Sequence, residues 1–166
     1  MSKRGLGLVL VLTFAVAVAA AALYQDFRLD QLASRQQQST DTVTRSLQTA
    51  QVALADLRAA HTAYVVDGQN QMFWFKRAGD LAAQIETALS NLQTASASQE
   101  ARPHYDAALS ALGVLNGLDQ KARDSIENDN LAVARDAIFT DASKETERIN
   151  TELTAALWAE TGAREI

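Results

Sequence analysis

Two histidines, no cysteine and twenty carboxylates set the chemical repertoire of this 166-residue chain. Without cysteine there is no disulfide, no thiolate nucleophile, no iron–sulfur cluster, no zinc finger and no thioether-linked haem. The sequence holds no Gly-rich phosphate loop, no G-x-S-x-G elbow, no H-E-x-x-H helix and no EF-hand loop. Di-iron bundles need Glu-x-x-His twice, but Arg58 and Ala101 stand three residues before His61 and His104. On a helical scaffold the two histidines lie about 27 Å apart in height, too far to share a metal ion. The expectation is therefore a protein without catalytic residues, metal or cofactor, and not an enzyme.

The richest local cluster is Met72-Phe73-Trp74-Phe75 followed by Lys76-Arg77, opening one helix and facing Tyr64 and Val65 at the end of another. Successive residues of a helix point in different directions, so three consecutive aromatics cannot all enter one core, and at least one is left at an interface or on the surface. The plainer account of the cluster is an apolar plug at the end of a bundle; that of His61 is a hydrogen-bonded core histidine. The functional account is a small-molecule pocket or a dimer contact. Aromatic walls would exclude water, and Arg58, His61, Lys76 or Arg77 would anchor a carboxylate. The residues expected to carry a ligand-binding or dimer contact are Arg58, His61, Tyr64 and Trp74.

These residues must be positioned by helices. The chain has 32 Ala and 20 Leu against 7 Gly and one Pro, a composition that favours helix throughout. Val43, Leu47, Ala50, Leu54, Leu57, His61 and Tyr64 alternate steps of four and three, the seam of a bundle helix. A second seam runs through Ala78, Leu81, Ile85, Leu89 and Leu92. A third runs through Tyr105, Ala108, Leu112, Leu115, Ala122 and Ile126, and a fourth through Ala134, Ile138, Ala142, Ile149, Leu153 and Ala156. Breaks fall near 67–71, 96–102 and 128–130, where Gly, Asn, Asp, Ser and Pro103 supply turn and cap chemistry. No alternating strand pattern competes. The fold expected is all-α: an N-terminal transmembrane helix continuing into an antiparallel up-down-up-down four-helix bundle.

The transmembrane expectation rests on Gly5–Tyr24, twenty residues without a charge and about 30 Å long as a helix. Lys3 and Arg4 precede this run and Asp26 follows it, so the N-terminus is expected in the cytoplasm. Residues 1–24 then form a cytoplasmic tip and anchor. Residues 25–166, carrying 13 basic and 20 acidic side chains, form an extracytoplasmic bundle, in the periplasm or outside the cell. A cleaved signal peptide is the alternative, because Ala17-Val18-Ala19 and Ala19-Ala20-Ala21 both fit A-x-A sites. The acidic balance gives no reason to expect nucleic-acid binding. The fourth helix ends roughly 10 Å short of a full return to the membrane, which fits a chain cut just before a second membrane helix.

A single anchor, a four-helix bundle and a chain heading back to the membrane resemble the sensor domains of bacterial transmembrane receptors. The likeness is to the four-helix-bundle domain of chemoreceptors and to CHASE3 domains. Thr62-Ala63-Tyr64-Val65-Val66-Asp67-Gly68 is similar to the CHASE3 phrase R-G-Y-L-L-T-G at Tyr64 and Gly68, with Thr62 and Ala63 replacing its Arg and Gly. Asn128-Asp129 through Ala134 is similar to the G-D-x-x-x-A stretch before the last helix of such bundles, with Asn128 replacing Gly and Ala134 lying one residue beyond the pattern's Ala. The resemblance implies an input module for a histidine kinase, diguanylate cyclase or chemoreceptor, a homodimer, and a small-molecule or periplasmic-protein ligand. The competing expectation is a stand-alone, membrane-anchored bundle acting as chaperone, adaptor or structural protein. If the anchor is retained, mass spectrometry of membrane-extracted protein should find no new N-terminus between Ala20 and Tyr24.

Overall fold

The computed structural model describes residues 38, 40–66, 70–96 and 98–162. All regular structure among them is helical. The expected transmembrane run at 5–24 lies outside the described residues, and none of the described helices is long and apolar enough to cross a membrane. Four helices follow one another: α1 over 40–64, α2 over Gln71–Ala95, α3 over Arg102–Glu127, and α4, made of Leu131–Asp136, Ala137–Ala142 and Ser143–Gly162 in continuous succession.

Each boundary has a local cause. Asn70 caps α2 by accepting the Phe73 N–H at 3.2 Å, and Asn130 caps α4 by accepting the Val133 N–H at 3.4 Å. Pro103 sits in the first turn of α3, where its missing N–H costs nothing. At the end of α3 the backbone turns through Asp129 at φ 58, a left-handed geometry that Asp tolerates better than most residues. The N–H groups of Asn128, Asp129 and Asn130 close onto the carbonyls of Asp124, Ile126 and Ser125.

The seams face inward as their spacing predicts. Val43, Leu47, Ala50, Leu54, Leu57, His61 and Tyr64 are all buried, as are Ala78, Leu81, Ile85, Leu89 and Leu92. In α3, Tyr105, Ala108, Leu112, Leu115 and Ala122 are buried and Ile126 is half-buried. Together with Ala134, Ile138, Ala142, Ile149, Leu153 and Ala156 they form one apolar core, each large side chain contributing roughly 1.5–3 kcal/mol of transfer free energy. Alanines at Ala50, Ala60, Ala108, Ala111 and Ala156, none of them exposed, let helix axes approach closely. Successive helices run antiparallel. Tyr64 near the end of α1 meets Phe75 near the start of α2, Gln93 late in α2 reaches Asp106 early in α3, and His104 early in α3 meets Glu152 late in α4.

One departure from the expected continuous α4 is informative. Ala137–Ala142 is π-helical, with i→i+5 hydrogen bonds that hold one extra residue in the turn. The burial pattern explains it. Stepping back from Ala156 through Leu153, Ile149, Thr146 and Ala142 by alternating three and four, the next seam residues would be Phe139 and Arg135. Those two are exposed, and Ile138 and Ala134 are buried in their place. The two halves of α4 are thus one residue out of register, and the π turn absorbs the surplus. Deleting Thr140, which is exposed, should rejoin the halves as continuous α-helix. The variant should melt within a few degrees of the parent, whereas deleting the equally exposed Thr151 should unfold the protein by turning the following seam out of the core. Thermal denaturation of both variants checks this.

Candidate functional site

α1 and α3 meet around one carboxylate. Asp119 occupies an inward position of α3 between Leu115 and Ala122, its side chain 15 % exposed. Tyr64, fully buried on α1, donates its hydroxyl to Asp119 Oδ1 at 2.7 Å. His61, one turn earlier, places Nε2 3.3 Å from the same oxygen. Arg123, one turn further along α3, sets a guanidinium nitrogen 2.6 Å from Asp119 Oδ2 and lies over the Phe75 ring at 5.0 Å. The rings of Tyr64 and Phe75 meet edge-on at 4.9 Å, and those of His61 and Tyr64 at 5.7 Å. Three helices are therefore tied by one polar cluster. The fourth joins nearby, where Arg135 Nε donates to the Val65 carbonyl at 3.1 Å.

The electrostatics follow from this packing. Burial by itself would raise the Asp119 carboxyl, but hydrogen bonds from His61 and Tyr64 and the electrostatic pull of His61 and Arg123 outweigh it and hold the group below the ordinary carboxylate range. Burial, then the charge and hydrogen bond of Asp119, push the Tyr64 phenol far above its ordinary value against a smaller opposing effect of Arg123. Tyr64 is therefore a permanent donor and Asp119 a permanent acceptor near neutral pH.

Of the residues expected to form a site, the structure brings three together. Arg58 and His61 line the same cavity, and Tyr64 touches His61. Trp74 stands apart from that cavity. It is half-buried against the core and packs edge-on with Phe73 at 5.0 Å, while Phe75 is the aromatic that enters the cluster. Met72 and Phe73 are exposed, as expected when successive aromatics cannot share one core. Lys76 and Arg77 do not converge on Arg58. They form exposed pairs with Asp80 at 2.7 Å and Asp56 at 3.2 Å, worth at most about 1 kcal/mol each.

Two carboxylates lie away from the solvated faces of the bundle, Asp119 and Glu160. Glu160 is 2 % exposed, accepts the Ser96 hydroxyl and lies 3.4 Å from the Tyr105 hydroxyl. Ser98 accepts the Ala101 N–H beside it. Among the described residues no group of His, Asp and Glu side chains is arranged to hold a metal ion. Both histidines instead make interhelical carboxylate contacts, His104 with Glu152 at 2.7 Å.

Against known protein families, curated proteins and solved structures, the chain shows no match.

The depressed Asp119 carboxyl fixes a pH dependence. A group whose folded-state value is lowered contributes stability above its unfolded value, about 3.9, and loses that contribution as pH falls through the folded value. The melting temperature should therefore drop on acidification below about pH 4. Asp119→Asn should flatten that limb while costing on the order of 3 kcal/mol at neutral pH, because Arg123 keeps a partly buried, uncompensated charge. Thermal denaturation of parent and variant across pH 2–7 measures both effects.

Proposed function

We propose that this chain is the extracytoplasmic sensory input domain of a bacterial membrane signal transducer. Residues 5–24 anchor it in the inner membrane with Lys3 and Arg4 inside, and residues 25–166 form a bundle in the periplasm or outside the cell. It works as a homodimer and not as an enzyme, and a histidine kinase, diguanylate cyclase or chemoreceptor module supplies the output. The observation that carries this reading is the polar cluster around Asp119, at one end of a helical bundle whose sequence begins with a membrane-length apolar run. A fold held only for stability gains nothing from a largely buried carboxylate with three polar partners, because replacing such a group with apolar residues is often neutral or stabilising. A two-state coupling between helices does gain, because the cluster offers donors and acceptors that can be rearranged. Arg58, His61 and Tyr64 remain the contacts through which a stimulus reaches it, with Trp74 flanking them.

The runner-up, a membrane-anchored adaptor or chaperone, is favoured by one feature: Met72 is 75 % and Phe73 57 % exposed at the start of α2, surface a protein partner would cover.

Alkaline phosphatase joined after Ile166 should be active, since its disulfides form only in an exported compartment; an inactive fusion would overturn the topology. Residues 1–166 joined to the second membrane helix and kinase module of a characterised receptor should then give an output that shifts several-fold with Asp119→Asn. An unchanged output from a folded, membrane-inserted chimaera would favour the adaptor.

A further inference from the structure

The register slip in α4 has a spatial counterpart. Along the π turn, between α1 and α4, lies a partly enclosed cavity of about 170 Å³. Its apolar wall is Ile138, Phe139 and Ala142, all from the π segment; its polar wall is Arg58, His61 and Thr62 from α1 with Ser143 and Thr146 from α4. A shallower groove continues from Arg58, Ser143 and Thr146 toward Gln51, Glu147 and Asn150. Two facts about the polar wall stand out. Arg58 has no acidic partner among the described residues, in contrast to Arg77, Arg123 and Arg148, each paired with a carboxylate. The Thr62 and Thr146 hydroxyls are turned to the carbonyls of Arg58 and Ala142, so their oxygens face outward only as acceptors. The hydrogen-bonding capacity left for an anion is the Arg58 fork and the Ser143 hydroxyl.

We infer that this cavity is a binding site for a small monocarboxylate with a short apolar tail, and that the extra residue of the π turn is what opens it. The size argument is direct. A cavity of about 150 Å³ accepts benzene, so this one holds roughly six or seven non-hydrogen atoms, the size of butyrate. The charge argument selects one carboxylate. A single guanidinium binds one bidentately, whereas a second carboxylate on the same ligand would meet Glu147 in the adjoining groove or the field of Asp119 behind His61. The tail lies against Ile138, Phe139 and Ala142. Occupancy would reach the polar cluster through His61, which lines the cavity and contacts Asp119.

This deepens the sensory reading, yet its test is binding alone, so the two fail separately. A chain that binds the acid while its chimaera stays silent keeps the site and loses the sensor.

The full 166-residue chain in detergent micelles is titrated by calorimetry with sodium butyrate, succinate and n-butylamine. Butyrate should bind saturably, with succinate at least tenfold weaker and butylamine not at all. Arg58→Ala should weaken butyrate by about tenfold or more, the loss expected for a charged hydrogen bond, with Arg58→Lys between the two. Deletion of Thr140 should abolish saturable binding while the protein stays folded, and Phe73→Ala, remote from the cavity, should bind as the parent does. If the parent shows no saturable butyrate binding, or Arg58→Ala and the Thr140 deletion bind as the parent does, the inference is overturned. Equal affinity for succinate would overturn the monocarboxylate class. Should the Thr140 deletion fail to fold, the Arg58 pair still decides the site, because that side chain is exposed and outside the core.

Discussion

An ionised carboxylate set among packed helices must be met by donors on every side or be driven to take up a proton. Asp119 is met by Tyr64, His61 and Arg123, and much of the surrounding architecture follows from that requirement. Tyr64 and His61 occupy two adjacent seam positions of α1, so the axial and rotational setting of α1 against α3 is specified by hydrogen-bond geometry as well as by apolar contact. Leucine and alanine alone tolerate small slips along a seam; a phenol 2.7 Å from a carboxylate oxygen does not. Phe75 and Arg123 extend the specification to α2, since the guanidinium that neutralises Asp119 also lies over the Phe75 ring.

The opposite end of the bundle is organised by the same logic with weaker partners. Glu160 is buried with two hydroxyls and no cation among the described residues. It links the α2–α3 connection, through Ser96, to the last turns of α4. A part-buried carboxylate near one end and a buried one near the other thus tie the bundle, and apolar seams fill the span between them.

Most helix positions were legible in the sequence because heptad spacing and cap residues are local signals. α3 ends at Glu127, directly before the expected break at 128–130, and starts at Arg102, the last residue of the break expected near 96–102; α2 starts one residue earlier than expected because Asn70 is its cap. The polar centre was harder to see for a reason the structure makes plain. The α3 seam runs Leu112, Leu115, then Ala122 and Ile126, and the step between the middle pair skips the inward position that Asp119 fills. The α4 seam likewise continues from Ala156 to Glu160 by a step of four. A carboxylate in either place is a signal in its own right, since a charged residue on a seam needs a partner. That His61 sits on a seam was legible; that Asp119 faces it depends on the relative height of α1 and α3, which no local pattern encodes. The π turn was written in the fourth seam as two successive steps of four, Ala134 to Ile138 to Ala142, where a heptad allows only one.

The tight turn at Asn128–Asn130 carries a kinetic corollary. Joining α3 to α4 across three residues makes closure of that hairpin entropically cheap and fast, on a scale of roughly tens of nanoseconds. Asp119 and Tyr64, by contrast, are separated by 55 residues of chain, so their encounter waits until α1 docks. The α3–α4 hairpin should thus behave as the folding nucleus, while contacts at Asp119 are absent from the transition state. Substitutions there would leave the folding rate nearly constant and act on the rate at which the native protein opens.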